Sequence, residues 1–334
     1  MIGYEELYEK YLKLLDENKR LRIENENYKE QLGLALPKFS SEVQSEKEII
    51  STQSEQFHSI EQVINTSSPR DKINLFMSLF RGREDVYAKK WQSKEGKSGY
   101  SPVCMNEWSK GVCNKPRIKC SDCANKDYAI LDSAAIDKHL RGKAVYGIYS
   151  LLPDETCCFL AMDFDDEGWQ KDISTLRDIC VKKNIPIAIE RSQSGNGAHA
   201  WFFFSDRISA SSARKFGTLL LTNAMAERHE IKFSSYDRLF PNQDTLPKGG
   251  FGNLIALPLQ ANARKNDNSV FIDENFQPYD DQWSFLSNIR ILSDEDIDKY
   301  ISQLGGSNEL GDLRQSEDED IHPWERKRLD SKLN

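Results

Sequence analysis

The alternation of apolar and polar residues divides the chain into regions of different character. Residues 4–32 carry apolar side chains at a seven-residue spacing, and residues 37–68 are rich in Ser, Gln and Glu. From about residue 129, short apolar runs alternate with stretches of helical periodicity, and beyond residue 300 Gly, Ser, Asp and Glu dominate. This pattern predicts a helix at 1–36, a flexible linker at 37–68, a folded domain at 69–300 and an acidic, largely disordered tail at 301–334.

The first region has the repeat of a coiled coil. Two positions of each heptad form the seam, and they hold Leu7, Leu14, Leu21 and Tyr28 at one and Tyr4, Tyr11, Asn18, Asn25 and Leu32 at the other. Asparagine in such a seam favours a paired, in-register dimer. We therefore predict a homodimer through residues 4–32. The alternative is a single amphipathic helix that docks on its own domain.

The folded region mixes strand and helix patterns. Four apolar runs have the length of buried strands, namely 156–164, 185–190, 199–204 and 254–259. One helix is expected to start at Ser68-Pro69 and to end near Gly82, and a second to cover 209–230 with Ser209 as its cap. Because the two kinds of element are interspersed, the sequence predicts an α+β (mixed α/β) core.

Charge is unevenly distributed along the chain, and its distribution indicates a class of binding partner. The chain has a net charge of −8, yet residues 69–119 hold 12 basic and 5 acidic side chains. A basic middle between acidic ends fits a phosphate-rich partner such as nucleic acid. No run of about 18 apolar residues is present, so no membrane span is expected. The charged N-terminal residues are unlike a secretory signal, and we expect a cytoplasmic location.

Four cysteines crowd into twenty residues with the spacing C-x8-C-x6-C-x2-C, and they are Cys104, Cys113, Cys120 and Cys123. Four thiolates can close a tetrahedral Zn²⁺ site, and the terminal C-x2-C is typical of a zinc knuckle. We predict a structural zinc knuckle within residues 100–128. An iron–sulfur cluster is the lesser alternative, because ligation by cysteine alone suits it too. The remaining cysteines lie in apolar runs and read as core residues.

A pair of carboxylates, Asp163 and Asp165, ends an apolar run. On a strand, residues two apart point to the same side, so both carboxylates share a face while Phe164 points to the core. Such a pair repels unless a divalent cation neutralises it, and it can hold two Mg²⁺ or Mn²⁺ ions for phosphoryl transfer. A turn at the end of a strand is the alternative explanation, because Asp is common there.

The segment after the next predicted strand is rich in small and polar residues. It contains Arg191, Ser192, Ser194, Gly195, Asn196, Gly197 and His199. Glycines allow an anion to approach the backbone closely, and the arginine and histidine supply donors. These residues are therefore candidate contacts for a nucleotide's phosphates. The spacing is not G-x-G-x-x-G, so no dinucleotide site is predicted.

A third polar segment covers residues 235–253. Asp237 can complete a metal site, and Arg238 and Lys248 can neutralise a triphosphate. Asp244 is interpreted as a turn cap.

Taken in order, these segments resemble the three motifs of the archaeo-eukaryotic primase superfamily. They are D-F-D at 163–165, S-x-S-G-N-G-A-H at 192–199, and Y-D at 236–237 followed by GFGNLIALPL. Longer phrases, among them FRGREDVYA, DETCCFLAMDFD and RSQSGNGAHAWFFF, resemble the primase-polymerase domain of TOTE-type conflict-system proteins and of CRISPR-associated relatives. The resemblance spans roughly residues 70–295.

The resemblance implies a fold, an activity and partners. Asp163, Asp165 and Asp237 would be the metal ligands, and Ser194 and His199 would contact the incoming nucleotide's triphosphate. The family fold combines an αβ unit with an RRM-like unit. Family members make or extend strands from NTPs or dNTPs on a single-stranded or primed DNA or RNA template, with Mg²⁺ or Mn²⁺. A prokaryotic source and a helicase or CRISPR-associated partner are further expectations.

Two other functions remain open on the residues alone. A metal-dependent nuclease could use Asp163 with Glu190 and Arg191, although Ser192 stands where that pattern normally has lysine. The chain could also be a non-catalytic, zinc-bearing nucleic-acid adaptor.

Overall fold

The computed structural model describes residues 62–228, 233–246 and 249–305, together with Lys13 and Arg20. The predicted coiled coil at 1–36 therefore lies outside the described residues, apart from those two exposed helical positions. The chain divides into one unit at 1–58 and another at 59–334, and the fold below belongs to the second. Among the described residues, no helix is long and apolar enough to cross a membrane.

The described elements in chain order are α1 Pro69–Leu79, β1 Ala88–Gln92, β2 Ser98–Pro102, a 3₁₀ turn Cys120–Asp122, α2 Ser133–Leu140, β3 Tyr146–Tyr149, β4 Thr156–Asp165, α3 Trp169–Lys182, β5 Ala188–Arg191, β6 Gly197–Ser209, α4 Ala210–Glu227, β7 Tyr236–Phe240, β8 Leu254–Ala256, α5 Ala261–Arg264, β9 Val270–Phe271, α6 Gln282–Ser287 and α7 Asp294–Leu304. The predicted α+β class is confirmed at this level.

Two helices begin at the residues that the sequence indicates. The Ser68 side chain accepts the backbone N–H of Asp71, and Pro69 occupies the first turn of α1, where its missing N–H costs nothing. Ser209 caps α4 in the same way through the N–H of Ser212. These side chains satisfy backbone donors that the first turn of any helix leaves without a partner.

The strands form two antiparallel sheets. One sheet has the order β2-β1-β3-β8, and the other has the order β7-β4-β6-β5-β9. Four strands of the five-stranded sheet and two helices follow one another along the chain as β-α-β-β-α-β, the order of a split βαβ unit. These elements are β4, α3, β5, β6, α4 and β7. This topology agrees with the RRM-like unit that was expected, and it places β4 inside the sheet, between β7 and β6.

The two faces of the five-stranded sheet bury different cores. Met162, Phe164 and Phe202 face a core that α3, α4 and α7 complete. The opposite face contributes Ala161 and Trp201 to a second core shared with α1, α2 and the four-stranded sheet. Side chains alternate along β4, so neighbouring residues such as Ala161 and Met162 belong to different cores. The polar end of the second face is the candidate site.

Some predicted boundaries differ from the observed elements. The predicted strand at 199–204 is the middle of a longer strand, β6, which runs from Gly197 to Ser209. The predicted linker overlaps residues that pack on the domain, because the N–H groups of Val63 and Asn65 donate to Ser287 and Asp281. At the other end, α7 continues four residues past the predicted boundary at 300, and Leu304 is buried.

Candidate active site

Asp163 and Asp165 lie on the same face at the end of β4, as the alternation predicts. Phe164 between them is fully buried in the core under the helices. Asp163 is directly opposite His199 on β6 and Arg238 on β7. In an antiparallel pair, residues directly opposite each other have neighbouring side chains on one face. The sheet therefore gathers one carboxylate and two basic groups from three strands.

The Asp163 side chain is largely buried, and one of its carboxylate oxygens has no hydrogen bond from a described residue. Its side chain is 14% exposed, and its Oδ1 atom is buried without a hydrogen bond in the described part of the chain. The Nε2 atom of His199 lies 3.4 Å from that oxygen, an ion-pair distance. A buried anionic oxygen without a hydrogen bond is costly, so the site is suited to an additional cation.

His199 is fixed between two carboxylates. Its Nδ1 atom lies 2.9 Å from Oε2 of Glu190, a residue that is almost fully buried. Glu190 also accepts hydrogen bonds from the Trp201 indole and the Ser269 hydroxyl. Burial lowers the pKa of His199, but the charges of Glu190 and Asp163 outweigh it and raise the pKa to about 10. The imidazole is therefore a cation at neutral pH.

Asp165 lies against the backbone of the neighbouring strand. It pairs with Gly197, where a Cβ atom would come within 2.5 Å of the Asp165 Oδ1 atom. Glycine is required at this position because any side chain would collide with the Phe164 backbone carbonyl as well as with the carboxylate. Burial and the negative charges of Asp163 and Asp237 raise the pKa of Asp165, against the effect of the His199 cation. The carboxylates repel one another, as they would at a site for a divalent cation.

Asp237 enters the site through an irregularity in β7. The register between β4 and β7 shifts between the pairs Asp163–Arg238 and Phe164–Tyr236, so Asp237 is the extra residue. Such a bulge redirects a side chain relative to a regular strand. The Asp237 side chain is 44% exposed and accepts a 2.7 Å ionic hydrogen bond from Arg238 Nε.

Asp172 on α3 supports this third segment, and sequence reasoning missed it. Its buried carboxylate accepts the hydroxyl of Ser235 at 2.6 Å and the backbone N–H of Ser235 at 3.3 Å. The Ser235 carbonyl in turn accepts the N–H of Asp165 at 2.7 Å. Arg228 pairs with the other oxygen of Asp172. Asp172 therefore connects the strand end that carries Asp165 to the segment that carries Asp237.

The loop between β5 and β6 is a tight turn beside the carboxylates. Ser192 and Ser194 share a hydrogen bond between their hydroxyls, and the Ser194 hydroxyl also accepts the N–H of Asn196. Gly195 has a φ of +81°, which side chains rarely adopt. The Asn196 carbonyl accepts the N–H of Asp166, so the turn is fastened to the end of β4.

Two predicted nucleotide contacts are not gathered with the others. Arg191 is opposite Ala198, so its side chain leaves the sheet on the face away from His199. Its guanidinium donates to the carbonyls of Asp267 and Phe276. Lys248 lies outside the described residues. The nucleotide contacts predicted for these two residues stay predictions.

Lys90 on β1 reaches the same loop, although no motif includes it. Its Nζ atom donates to Oε1 of Gln193 at 2.9 Å, across more than a hundred residues of sequence. Lys90 forms no ion pair with any described carboxylate. The only signal in the sequence is the general excess of basic residues between 69 and 119.

The carboxylate site fits a divalent cation by its donor set. Three carboxylates from β4 and β7 supply the oxygen ligands that Mg²⁺ and Mn²⁺ prefer, and Asp163 Oδ1 is buried without a hydrogen bond in the described chain. In the described ranges, no group of three or more His, Cys, Asp or Glu side chains is already arranged as a metal site. The metal ligands predicted from the sequence therefore stay a prediction that the donor set supports.

Comparison with known families decides the wider identity. Residues 71–300 match the family described as the TOTE conflict system, Archaeo-Eukaryotic Primase domain. The chain belongs to this primase family. The matched span begins in α1 and ends in α7, so it contains both sheets, the cysteine segment and all three site segments. The resemblance read from the sequence motifs is confirmed.

Other comparisons add little to the family. The primase domain is similar to the solved polymerase domain from Mycobacterium tuberculosis ligase D in complex with DNA, at 11% identity and a TM-score of 0.34. That similarity covers 71% of this chain and 85% of the other chain. No curated protein matches.

The cysteine segment of the primase domain precedes α2. Cys104, Cys113, Cys120 and Cys123 are half-buried, carry no disulfide, and line one common cavity. Tyr128 links two of them, because its hydroxyl donates to the Cys120 carbonyl at 3.2 Å and its backbone is bridged to Cys104. The Cys104 sulfur also accepts the N–H of Asp127. The all-sulfur donor set fits zinc, while the complete site stays a prediction.

Proposed function

We propose that this primase domain is a template-dependent primase-polymerase. It joins a strand's 3′-hydroxyl to the α-phosphorus of an incoming nucleoside triphosphate and releases pyrophosphate. The observation that carries the proposal is the convergence of Asp163, Asp165, His199 and Arg238 on one face of the sheet, in a family of primases. Carboxylates beside cationic donors suit a reaction in which phosphates are bound and moved.

Asp163, Asp165 and Asp237 are the proposed ligands of Mg²⁺ or Mn²⁺. When bound, such a cation lowers the pKa of an attacking hydroxyl and offsets the charge of a leaving pyrophosphate. Glu190 holds His199 in place through a 2.9 Å hydrogen bond, and this bond fixes the direction of the imidazole. The residues of the chain thus set the position of the charges before the nucleotide arrives.

The nucleotide's triphosphate is proposed to lie between the loop at 192–196 and Lys90. The imidazolium of His199, the ammonium of Lys90 and the Ser194 hydroxyl supply donors there. Arg238 supplies a further cation beside Asp237. The turn at Gly195 brings the backbone close to the bound anion without an intervening side chain.

The nuclease alternative has little support in this geometry. It needs Glu190 as a metal ligand, but both oxygens of Glu190 already accept hydrogen bonds from His199, Trp201 and Ser269. Arg191, the other nuclease candidate, lies on the opposite face. The polymerase function uses the residues that share a face.

One assay separates the three functions. The protein is incubated with Mn²⁺, nucleotides and a primed or single-stranded template, and product length is read on a sequencing gel. A product longer than the input supports the polymerase, and a shortened one supports the nuclease. An unchanged template with measurable binding supports the adaptor and contradicts the proposal.

A further inference from the structure

The hairpin formed by β1 and β2 carries an unusual surface. Residues 88–102 contain four lysines and one glutamate. None of the four lysines, Lys89, Lys90, Lys94 and Lys97, forms an ion pair with a described carboxylate, and all but Lys90 are exposed. The hairpin thus presents concentrated positive charge that the described part of the chain does not neutralise.

Trp91 lies in the middle of this charge with an open ring. Its residue is 46% exposed, whereas Trp169, Trp201 and Trp283 are buried. Trp91 pairs with Gly99 across the hairpin, and a Cβ atom at Gly99 would come within 2.9 Å of the ring's Cζ2 atom. One side of the indole therefore rests on the glycine backbone. The exposed part of the indole is a flat apolar surface, and the Gly99 backbone lies behind it.

The hairpin is joined to the candidate site. Lys90 and Trp91 are neighbours on β1 with side chains on opposite faces. Lys90 donates to Gln193 in the loop that is proposed to bind the triphosphate. The strand that carries Trp91 therefore also contributes a side chain to the proposed triphosphate site, while the indole lies on the other face of β1.

We propose that the β1–β2 hairpin binds single-stranded nucleic acid of the template, with one base stacked on Trp91 and phosphates near Lys89, Lys94 and Lys97. An unpaired base has a free face for the indole, whereas the bases of a duplex are already stacked on each other. Lysines around an aromatic platform supply the salt-sensitive contact with the phosphate backbone. This inference rests on the proposed function, because it places the template strand of that reaction.

Binding of a labelled single-stranded oligonucleotide, followed by fluorescence anisotropy without metal or nucleotides, tests the inference. Trp91→Ala should weaken binding about tenfold, and Trp91→Phe should retain most of it, since a smaller ring still stacks. Gly99→Ala should weaken binding while leaving the indole present, because the added methyl group displaces the ring. Replacing Lys89, Lys94 and Lys97 by Gln should reduce the salt dependence by a slope of about 2.

Trp108→Ala is the matched control. Trp108 is 68% exposed, lies in the cysteine segment, and has the Lys115 ammonium 5.8 Å from its ring centroid. This variant should bind as the wild type does. Equal binding by Trp91→Ala and wild type, an equal loss in Trp108→Ala, or tighter binding of duplex than of single strand would overturn the inference. Thermal melting confirms that each variant is folded.

The experiments distinguish failure of the hairpin inference from failure of the proposed polymerase function. If wild type binds the single strand through Trp91 but adds no nucleotide, the hairpin inference stands and the polymerase proposal fails. If wild type extends a primer and Trp91→Ala binds template equally well, the polymerase proposal stands and the hairpin inference fails. DNA and RNA oligonucleotides of the same sequence show which sugar the surface prefers.

Discussion

The carboxylate site and the cysteine segment hold their polar residues in different ways. Asp163 and His199 lie on paired strands of a five-stranded sheet, and their surroundings are largely buried. Between β2 and α2, by contrast, the cysteine segment contains one 3₁₀ turn of three residues, and Met105 and Trp108 are exposed. The first region belongs to a hydrogen-bonded sheet, whereas the backbone hydrogen bonds of the second are mostly those of local turns, such as the Cys113 N–H to the Ser109 carbonyl.

Because of this difference, a metal ion would have a different role in each region. At the carboxylates a cation would act in catalysis and not in folding, because the hydrogen bonds of the sheet do not depend on it. In the cysteine segment a metal would serve the fold, because four cysteine ligands would join its local turns to one another. Each of the following predictions tests one side of that contrast.

The largest effect is expected from Asp163→Ala combined with Asp165→Ala. Nucleotide incorporation should fall by at least about 10³-fold, because both proposed ligands on β4 are lost. The fold and the zinc predicted for the cysteine segment should be unchanged, since the sheet does not depend on these side chains. Primer extension, circular dichroism and metal analysis check the three parts. A variant that still incorporates nucleotides at the wild-type rate refutes the site.

His139 should make the sheet region sensitive to acid. It is fully buried, with Nε2 bonded to the Pro258 carbonyl and Nδ1 accepting the N–H of Tyr146. Burial lowers its pKa from 6.5 to about 4. Between those values the unfolded chain binds a proton that the folded chain does not, so the free energy of unfolding falls as pH falls. The contribution is complete above pH 6.5 and amounts to about 3 kcal/mol.

Urea unfolding of wild type and His139→Gln between pH 7.5 and 4 measures this contribution. The variant keeps a donor and an acceptor but has no titrating ring, so its stability should depend less on pH over that interval. Parallel curves for the two proteins would show that His139 does not titrate as described.

Loss of the predicted metal should loosen the cysteine segment and leave the sheet unchanged. In Cys120→Ser/Cys123→Ser, amide exchange in residues 103–128 should rise by about 100-fold, the effect of losing a ligand held at about 100 times its dissociation constant. Exchange in β4 and β6 should stay slow. Cys158→Ala, a buried core cysteine, is the control and should keep its metal. Unchanged exchange in 103–128 would argue against a metal-dependent segment, and visible absorption would reveal an iron–sulfur cluster.

A smaller effect is expected from Asp172→Asn. The change weakens the hold on Ser235, which accepts the N–H of Asp165 and precedes Asp237. Affinity for Mn²⁺ should fall about tenfold, as for other residues that orient metal ligands. At saturating Mn²⁺ the kcat should be nearly restored, which a general loss of folding would not allow. The exposed Asp178→Asn on the same helix is the control. Equal Mn²⁺ affinity in both variants would leave Asp172 with no positioning role.

Local patterns in the sequence predicted the parts of the fold that depend on local physics. The caps at Ser68 and Ser209, and the shared face of Asp163 and Asp165, follow from neighbouring residues and strand alternation. The third polar segment and the family resemblance together indicated Asp237, which lies 72 positions from Asp165 in the sequence but on β7, the strand that pairs with β4.

Other parts of the site depend on strand pairing, which the sequence does not state. Glu190 and Arg191 are adjacent, and only the register with β6 shows that Glu190 faces His199 while Arg191 faces away. Asp172 and Lys90 belong to no motif because their partners, Ser235 and Gln193, come from distant elements. Long-range contacts of this kind are visible only once the sheets are formed.

The central claim is that Asp237 joins Asp163 and Asp165 at one site for a divalent cation. The most direct test is Asp237→Asn, with Asp244→Asn as the matched control. Asp244 lies in the same segment, is half-exposed and pairs with Arg214 away from the carboxylates. Mn²⁺ affinity and primer extension are measured on both variants. The account predicts that Asp237→Asn loses both and that Asp244→Asn keeps both. Wild-type Mn²⁺ affinity and extension in Asp237→Asn would contradict it.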